Sequence, residues 1–177
     1  MKRNENKKSP VSVLCSALGT ALLILLIVVC VPLTGPKLLG YQTYTVISGS
    51  MEPDIPVGSI VYVKGMEPGR IQVKDVIAYY GGRDADAVIT HRVMENCSEK
   101  GEFITKGDAN LTEDMNPVKY KDLIGRVELV IPKLGILAQF LSGLEGKITA
   151  GCMIGLSVIL HLLAGILDKK QTEIESK

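Results

Sequence analysis

Three short stretches of this chain hold side chains able to attack an amide without a metal. Such chemistry needs a nucleophile, a base and a place for developing negative charge. The first stretch is Ser48-Gly49-Ser50-Met51-Glu52-Pro53. Glycine between two serines permits a tight turn, and the following proline stiffens its exit, so a hydroxyl can be held at a rim beside free backbone N–H groups. The second is Ile89-Thr90-His91-Arg92-Val93, where a histidine interrupts an apolar, strand-like run. In a strand, Thr90 and Arg92 point away from the face that carries His91, and an imidazole that titrates near pH 6.5 suits a general base. The third is Thr105-Lys106-Gly107-Asp108-Ala109-Asn110, followed by Asp114. A carboxylate beside a neutral histidine fixes its tautomer and stabilises the imidazolium. Each stretch also has a plain structural reading: a Ser/Gly/Pro turn, a core histidine, an Asx turn. Spacing alone does not choose between the two.

The elements that must position these residues are legible from hydropathy. Residues 11–33 and 148–167 carry no charge, and each is long enough to cross a hydrocarbon core about 30 Å thick. Lys2, Arg3, Lys7 and Lys8 precede the first stretch, and Asp168-Lys169-Lys170 follows the second. The positive-inside rule then predicts a cytoplasmic N-terminus (residues 1–10), a first span (11–33), an extracytoplasmic domain (34–147), a second span (148–167) and a cytoplasmic tail (168–177). A cleaved signal is the rival reading of the first span, but Val31-Pro32-Leu33 sets bulky residues where a cleavage site needs small ones. Gly151 and Gly155 are spaced to let the second span approach the first, or reflect ordinary glycine enrichment.

Between the spans, runs rich in Val, Ile, Thr and Tyr recur at residues 43–47, 59–63, 76–80, 88–93, 103–106 and 124–131. Turn signals separate them, among them Glu52-Pro53-Asp54, Pro56-Val57-Gly58 and Gly81-Gly82-Arg83-Asp84. The predicted fold is a mainly β domain, a barrel or coiled sheet, flanked by two transmembrane helices. A net charge of +1 without a basic face gives no reason to expect nucleic acid. Of the four cysteines, only Cys97 lies between the spans, so that domain has no internal disulfide. No spacing of Cys and His suggests a metal, and no cofactor is expected. Asn96-Cys97-Ser98 and Asn110-Leu111-Thr112 fit the glycosylation pattern. His161, the other histidine, falls deep in the second span and is expected to serve helix packing.

Taken in order, the three stretches resemble the boxes of type I signal peptidases, from about Tyr44 to Pro132 and including Gly125-Arg126-Val127. His91 stands where the common bacterial branch carries a lysine, which groups the chain with the endoplasmic-reticulum, archaeal and sporulation-type branch. One departure is Val73-Lys74-Asp75-Val76, where the family usually has Gly-Asp. The resemblance implies a membrane-bound serine endopeptidase that cuts signal peptides from secreted preproteins after small-x-small motifs. It implies Ser50 as nucleophile, His91 as general base, and the Ser50 amide with the Ser48 hydroxyl as oxyanion hole. It implies Asp114 as an active-site carboxylate and Asp108 as a second required acid that shapes its loop. Ile47, Met51, Ile55 and Val57 either wall the substrate pockets, rest on the bilayer or belong to the core.

Two other readings fit parts of the chain. A catalytically silent, membrane-anchored β domain that binds secreted proteins would keep the spans and the sheet without needing the serine, the histidine and the acids together. A relative of the self-cleaving repressors would use a Ser–Lys pair in a soluble chain, which two spans and His91 oppose.

Overall fold

The computed structural model describes residues 9–81 and 87–175, with side chains as far as residue 172. The turn expected at Gly81-Gly82-Arg83-Asp84 therefore lies mostly outside the described residues, as do Lys2, Arg3, Lys7 and Lys8. Helix α1 (Pro10–Leu38) leads into strands β1 (Tyr41–Thr45), β2 (Ile60–Lys64), β3 (Val76–Tyr80), β4 (Val88–Cys97), β5 (Glu102–Lys106), β6 (Val118–Lys119) and β7 (Leu123–Ile131). Helices α2 (Leu134–Ser142) and α3 (Leu144–Glu175) end the chain. The expected architecture, a β domain flanked by two long apolar helices, is what the chain adopts. It forms two compact units, residues 33–139 and residues 1–32 with 140–177.

The seven strands among the described residues join one curled antiparallel sheet in the order β1-β2-β7-β3-β4-β5-β6. Alternation along the strands divides its apolar side chains between two clusters. Val61, Val63 and Ala78 join Val46, Met51 and Ile55 in one. Ile77, Tyr79 and Val93 join Ile71, Phe103 and Val118 in the other. Bulges at Tyr62/Val63, Ala78/Tyr79 and Val93/Glu95 add the local twist that a curled sheet requires. The six predicted runs correspond to β1–β5 and β7. The first ends earlier than expected, because Val46 turns into the core through bonds with Ser59 and Gly58, leaving Ile47 outside.

Two backbone positions explain otherwise opaque residues. At Gly125 a Cβ would stand 2.1 Å from the Lys64 carbonyl oxygen, so only glycine lets β7 pass between its neighbours here. Lys74 has φ of 79° at the third position of a turn closed by Asp75 N–H to Gln72 O at 3.1 Å. That conformation favours glycine. Lysine therefore holds, at some cost, a backbone that glycine adopts freely.

Within the helical unit, Ser157 Oγ donates to Gly19 O at 2.9 Å. His161 Nδ1 lies 2.8 Å from Ser157 O and Nε2 lies 3.3 Å from Thr20 Oγ1. Nδ1 is thus engaged within α3 and Nε2 faces α1, which matches the packing role expected of His161. Gly151 and Gly155 meet nothing within 4 Å, so the helices touch through Ser157 and His161 and not through the glycine pair.

Thermal unfolding of the β domain in detergent should separate the two special positions. Gly125→Ala is expected to lower stability by about 2 kcal/mol or more, since backbone must move to admit the methyl. Lys74→Gly should raise it by about 0.5–1 kcal/mol, the left-handed strain relieved less the entropy glycine loses on folding.

Candidate active site

Strand β4 supplies the histidine. His91 pairs with Ile77 of β3 and is buried beside the second cluster, while Arg92, the next residue, points to the other face. Strand β5 leaves β4 early: the last pair between them is Arg92 with Lys106. The chain then loops from Gly107 to Asp114 and returns to β5, where Asp114 N–H donates to Thr105 O at 2.8 Å. Each of the loop's two aspartates meets one of the two neighbouring β4 residues.

Asp114 Oδ2 lies 2.6 Å from His91 Nδ1. The same oxygen accepts from Thr105 Oγ1 at 2.6 Å and faces the Tyr79 hydroxyl at 3.5 Å. With a carboxylate oxygen on Nδ1, the proton of neutral imidazole resides there and Nε2 carries the free lone pair. Among the described residues Nε2 has no hydrogen-bond partner. Burial, with the nearby Asp114 charge adding to it, pushes the Tyr79 hydroxyl up to about 12, so it stays a protonated donor throughout the neutral range.

Asp108 is engaged elsewhere. Its oxygens accept from Arg92 Nε at 2.8 Å and Nη2 at 2.6 Å, a two-pronged contact. Arg92 also donates to Lys74 O at 2.9 Å and Asp54 Oδ2 at 2.9 Å. The hydrogen bond to Asp108, first among several charge contacts, raises the guanidinium pKa further above its ordinary value. The Asx turn that is the plain structural reading of the third stretch thus gives way, at Asp108, to an arginine, because β4 presents Arg92 to it directly.

The serine loop is fixed from both sides. Met51, immediately after Ser50, is 1% exposed, and Ile55 is also buried, so these two belong to the core. Ile47 and Val57 remain exposed. On the other side Ser50 O accepts from Ala109 N–H at 2.9 Å. A Cβ at Gly107 would stand 2.6 Å from that same oxygen, which explains glycine in the third motif. The Ser48 and Ser50 hydroxyl oxygens are 3.4 Å apart, and the Ser50 amide donates to no group among the described residues. A cleft of about 260 Å³ runs past both serines, walled by residues 44–47 on one side and 87–90 on the other. A larger cavity of about 580 Å³ opens beside His91, Asp114 and Tyr79, and Ile89 borders both.

The structure thus brings His91 and Asp114 into contact and ties the Ser50 backbone to the Asp108 loop. It also adds Tyr79, which motif reading did not connect with the site, and gives a contact to Thr105, which opened the third motif without one. Strand register is the signal that would have found Tyr79, because it pairs with Ile89 and so shares the His91 face. Asn96 is unsuited to glycosylation in the folded chain, because its Nδ2 donates to Pro68 O at 3.1 Å and Ile71 O at 2.9 Å. Among the described residues no three His, Cys, Asp or Glu side chains gather as a metal site.

No protein-family model matches the chain. Curated proteins do. Signal peptidase I W of Bacillus subtilis is 38% identical over 87 residues, 47% of this chain and 44% of that protein. The signal peptidase complex catalytic subunit SEC11 of Fusarium vanettenii is 31% identical over 106 residues, 55% of this chain and 62% of that one. In both cases the chain spans less than two thirds of the relative. SEC11 of Scheffersomyces stipitis is 33% identical over 129 residues, covering 67% of this chain and 75% of that protein.

The two acids should respond differently to loss of charge. Asp114→Asn is expected to keep thermal stability while turnover falls by roughly 10⁴, the scale set by serine triads in which the histidine tautomer is lost. Asp108→Asn should lower stability by about 1–3 kcal/mol through the Arg92 contact, with a smaller loss of turnover as the Ser50 loop loosens. A stable but inactive Asp108→Asn would transfer the role to Asp108.

Proposed function

The chain belongs to the type I signal peptidase family, and we propose that it is a membrane-bound serine endopeptidase that cuts signal peptides from secreted preproteins. The observation that carries this reading is the His91–Asp114 contact of 2.6 Å, with Nε2 left for a substrate-side partner and Ser50 in the adjoining cleft. The preprotein lies extended in that cleft, against the β4 edge that β5 leaves unpaired from Val88 to His91. Small side chains before the cut suit a cleft of this size.

In the first step Ser50 Oγ attacks the scissile carbonyl carbon, and its proton passes to His91 Nε2. Asp114 stabilises the imidazolium that results. The oxyanion takes hydrogen bonds from the Ser50 amide and the Ser48 hydroxyl, both unengaged by stronger partners. Collapse breaks the C–N bond, with the proton going from His91 to the leaving amine. Water, deprotonated by the same nitrogen, then releases the signal peptide from Ser50. The 3.4 Å between the two serine oxygens is long for a hydroxyl pair, as expected of a site that tightens only around substrate.

By the positive-inside rule, the ends bearing Lys2, Arg3, Lys7, Lys8, Lys169 and Lys170 stay in the cytoplasm and the β domain faces outward. In this reading α1 and α3 lie in the lipid bilayer of the cell membrane, which puts the active site on the side where preproteins emerge.

Incubation of purified chain in detergent with a preprotein tests the activity. Ser50→Ala and His91→Ala should each abolish cleavage with the fold retained, and the double variant should lose no more than either alone. His91→Lys should fail too, because a lysine base needs a site that lowers its pKa. Substantial cleavage by either alanine variant rejects the mechanism.

Topology has its own readout. Leu111 is 97% exposed, so in a Cys97→Ser background Leu111→Cys should react with an impermeant thiol reagent in intact cells. Labelling only after permeabilisation would reverse the orientation.

A further inference from the structure

Asp114 acts on His91 only if its carboxylate is held still, and the loop that carries it has little apolar anchorage. Leu111 and Met115, its large hydrophobic residues, are 97% and 98% exposed. Packing therefore does not place Asp114. Hydrogen bonding does, and it converges on one residue of β5.

Thr105 is fully buried at 0% exposure. It meets Asp114 twice: its carbonyl accepts the Asp114 N–H at 2.8 Å, and its hydroxyl donates to Asp114 Oδ2 at 2.6 Å. One contact fixes the backbone of the loop's end and the other fixes the side-chain torsion. The second falls on the same oxygen that accepts His91 Nδ1. Thr105 pairs with Val93 in the β4–β5 register, so its side chain shares the His91 face of the sheet. A buried hydroxyl beside a carboxylate must donate, since that carboxylate only accepts.

We infer that Thr105 is a positioning residue for the His91–Asp114 pair, setting the carboxylate oxygen at its 2.6 Å contact through a two-point hold on Asp114. Tyr79 closes the remaining side. Its ring stands edge-on to the imidazole, centroids 6.4 Å apart, and its hydroxyl lies 3.5 Å from both Nδ1 and Oδ2. That is a shielding contact more than a second hold, because hydrogen bonds of that length are weak. This inference rests on the proposed Ser50–His91 mechanism.

The test compares Thr105→Ser, Thr105→Ala and Thr105→Val with wild type and Ser50→Ala, in detergent, on a preprotein that the wild type cuts. Serine keeps the hydroxyl, so kcat should stay within about threefold. Alanine and valine lose it, and kcat should fall roughly 10- to 100-fold with KM little changed, the size of effect that a misplaced catalytic group produces. Valine preserves shape; should it not fold, the Ser–Ala pair, which differs by the hydroxyl alone, decides. Proton NMR of histidine-labelled chain gives a readout that mere loosening would not move. The Nδ1–H of His91, identified by its absence in His91→Ala, should resonate far downfield in wild type and Thr105→Ser and move upfield in Thr105→Ala. Equal kcat for Thr105→Ser and Thr105→Ala, or an unchanged resonance in Thr105→Ala, overturns the inference while an inactive Ser50→Ala leaves the mechanism standing. An active Ser50→Ala would overturn both.

Discussion

Consecutive residues of a β-strand face opposite sides, and the whole site depends on how β4 uses that constraint at His91 and Arg92. Each side chain needs a carboxylate: the imidazole to hold its tautomer, the guanidinium to compensate a partly buried charge. A single loop supplies both. It can do so because β5 stops pairing at Lys106, which frees the space beside β4 for Asp108 to meet Arg92 and Asp114 to meet His91. Had β5 continued along β4, neither aspartate would reach its partner and the cleft would have no open edge.

The two halves of that arrangement are mechanically different. On the Arg92 side the contacts are redundant: a two-pronged carboxylate, a second acid and a backbone carbonyl surround one guanidinium. Through Ala109 N–H the same loop holds the Ser50 carbonyl, and Met51 anchors the next residue in the core. The Ser50 backbone is therefore fixed by packing and charge together. On the His91 side fewer and shorter bonds converge on one carboxylate oxygen. A stable scaffold thus carries an imidazole whose orientation rests on local hydrogen bonds, each open to dissection by single substitutions.

Much of this was legible in the residues. Uncharged length revealed the two apolar helices, because no other composition is needed for a helix to cross lipid. Alternation revealed the strands and sent Thr90 and Arg92 away from the His91 face. The order of the three motifs carried the family. What local pattern missed is also instructive. Strand β6 is two residues long and leaves too little periodicity to detect. The occupation of Asp108 by Arg92 is invisible to turn chemistry, which considers only neighbours in sequence. Gly151 and Gly155 have the spacing of a helix contact but meet nothing, since spacing does not say which face of a helix is covered.

Residue type and order by themselves determined the segregation of apolar spans from a β domain and pointed to the candidate serine, histidine and acids. Those properties follow from side-chain pKa, hydropathy and short-range periodicity, all of which are local. Only the tertiary structure decided which acid touches which base, that one oxygen of Asp114 serves both Thr105 and His91, and that Gly107 and Gly125 are glycines because a backbone oxygen occupies the place of their Cβ. These depend on strand register and on where β5 ends, and register is set by pairing between segments far apart in the chain.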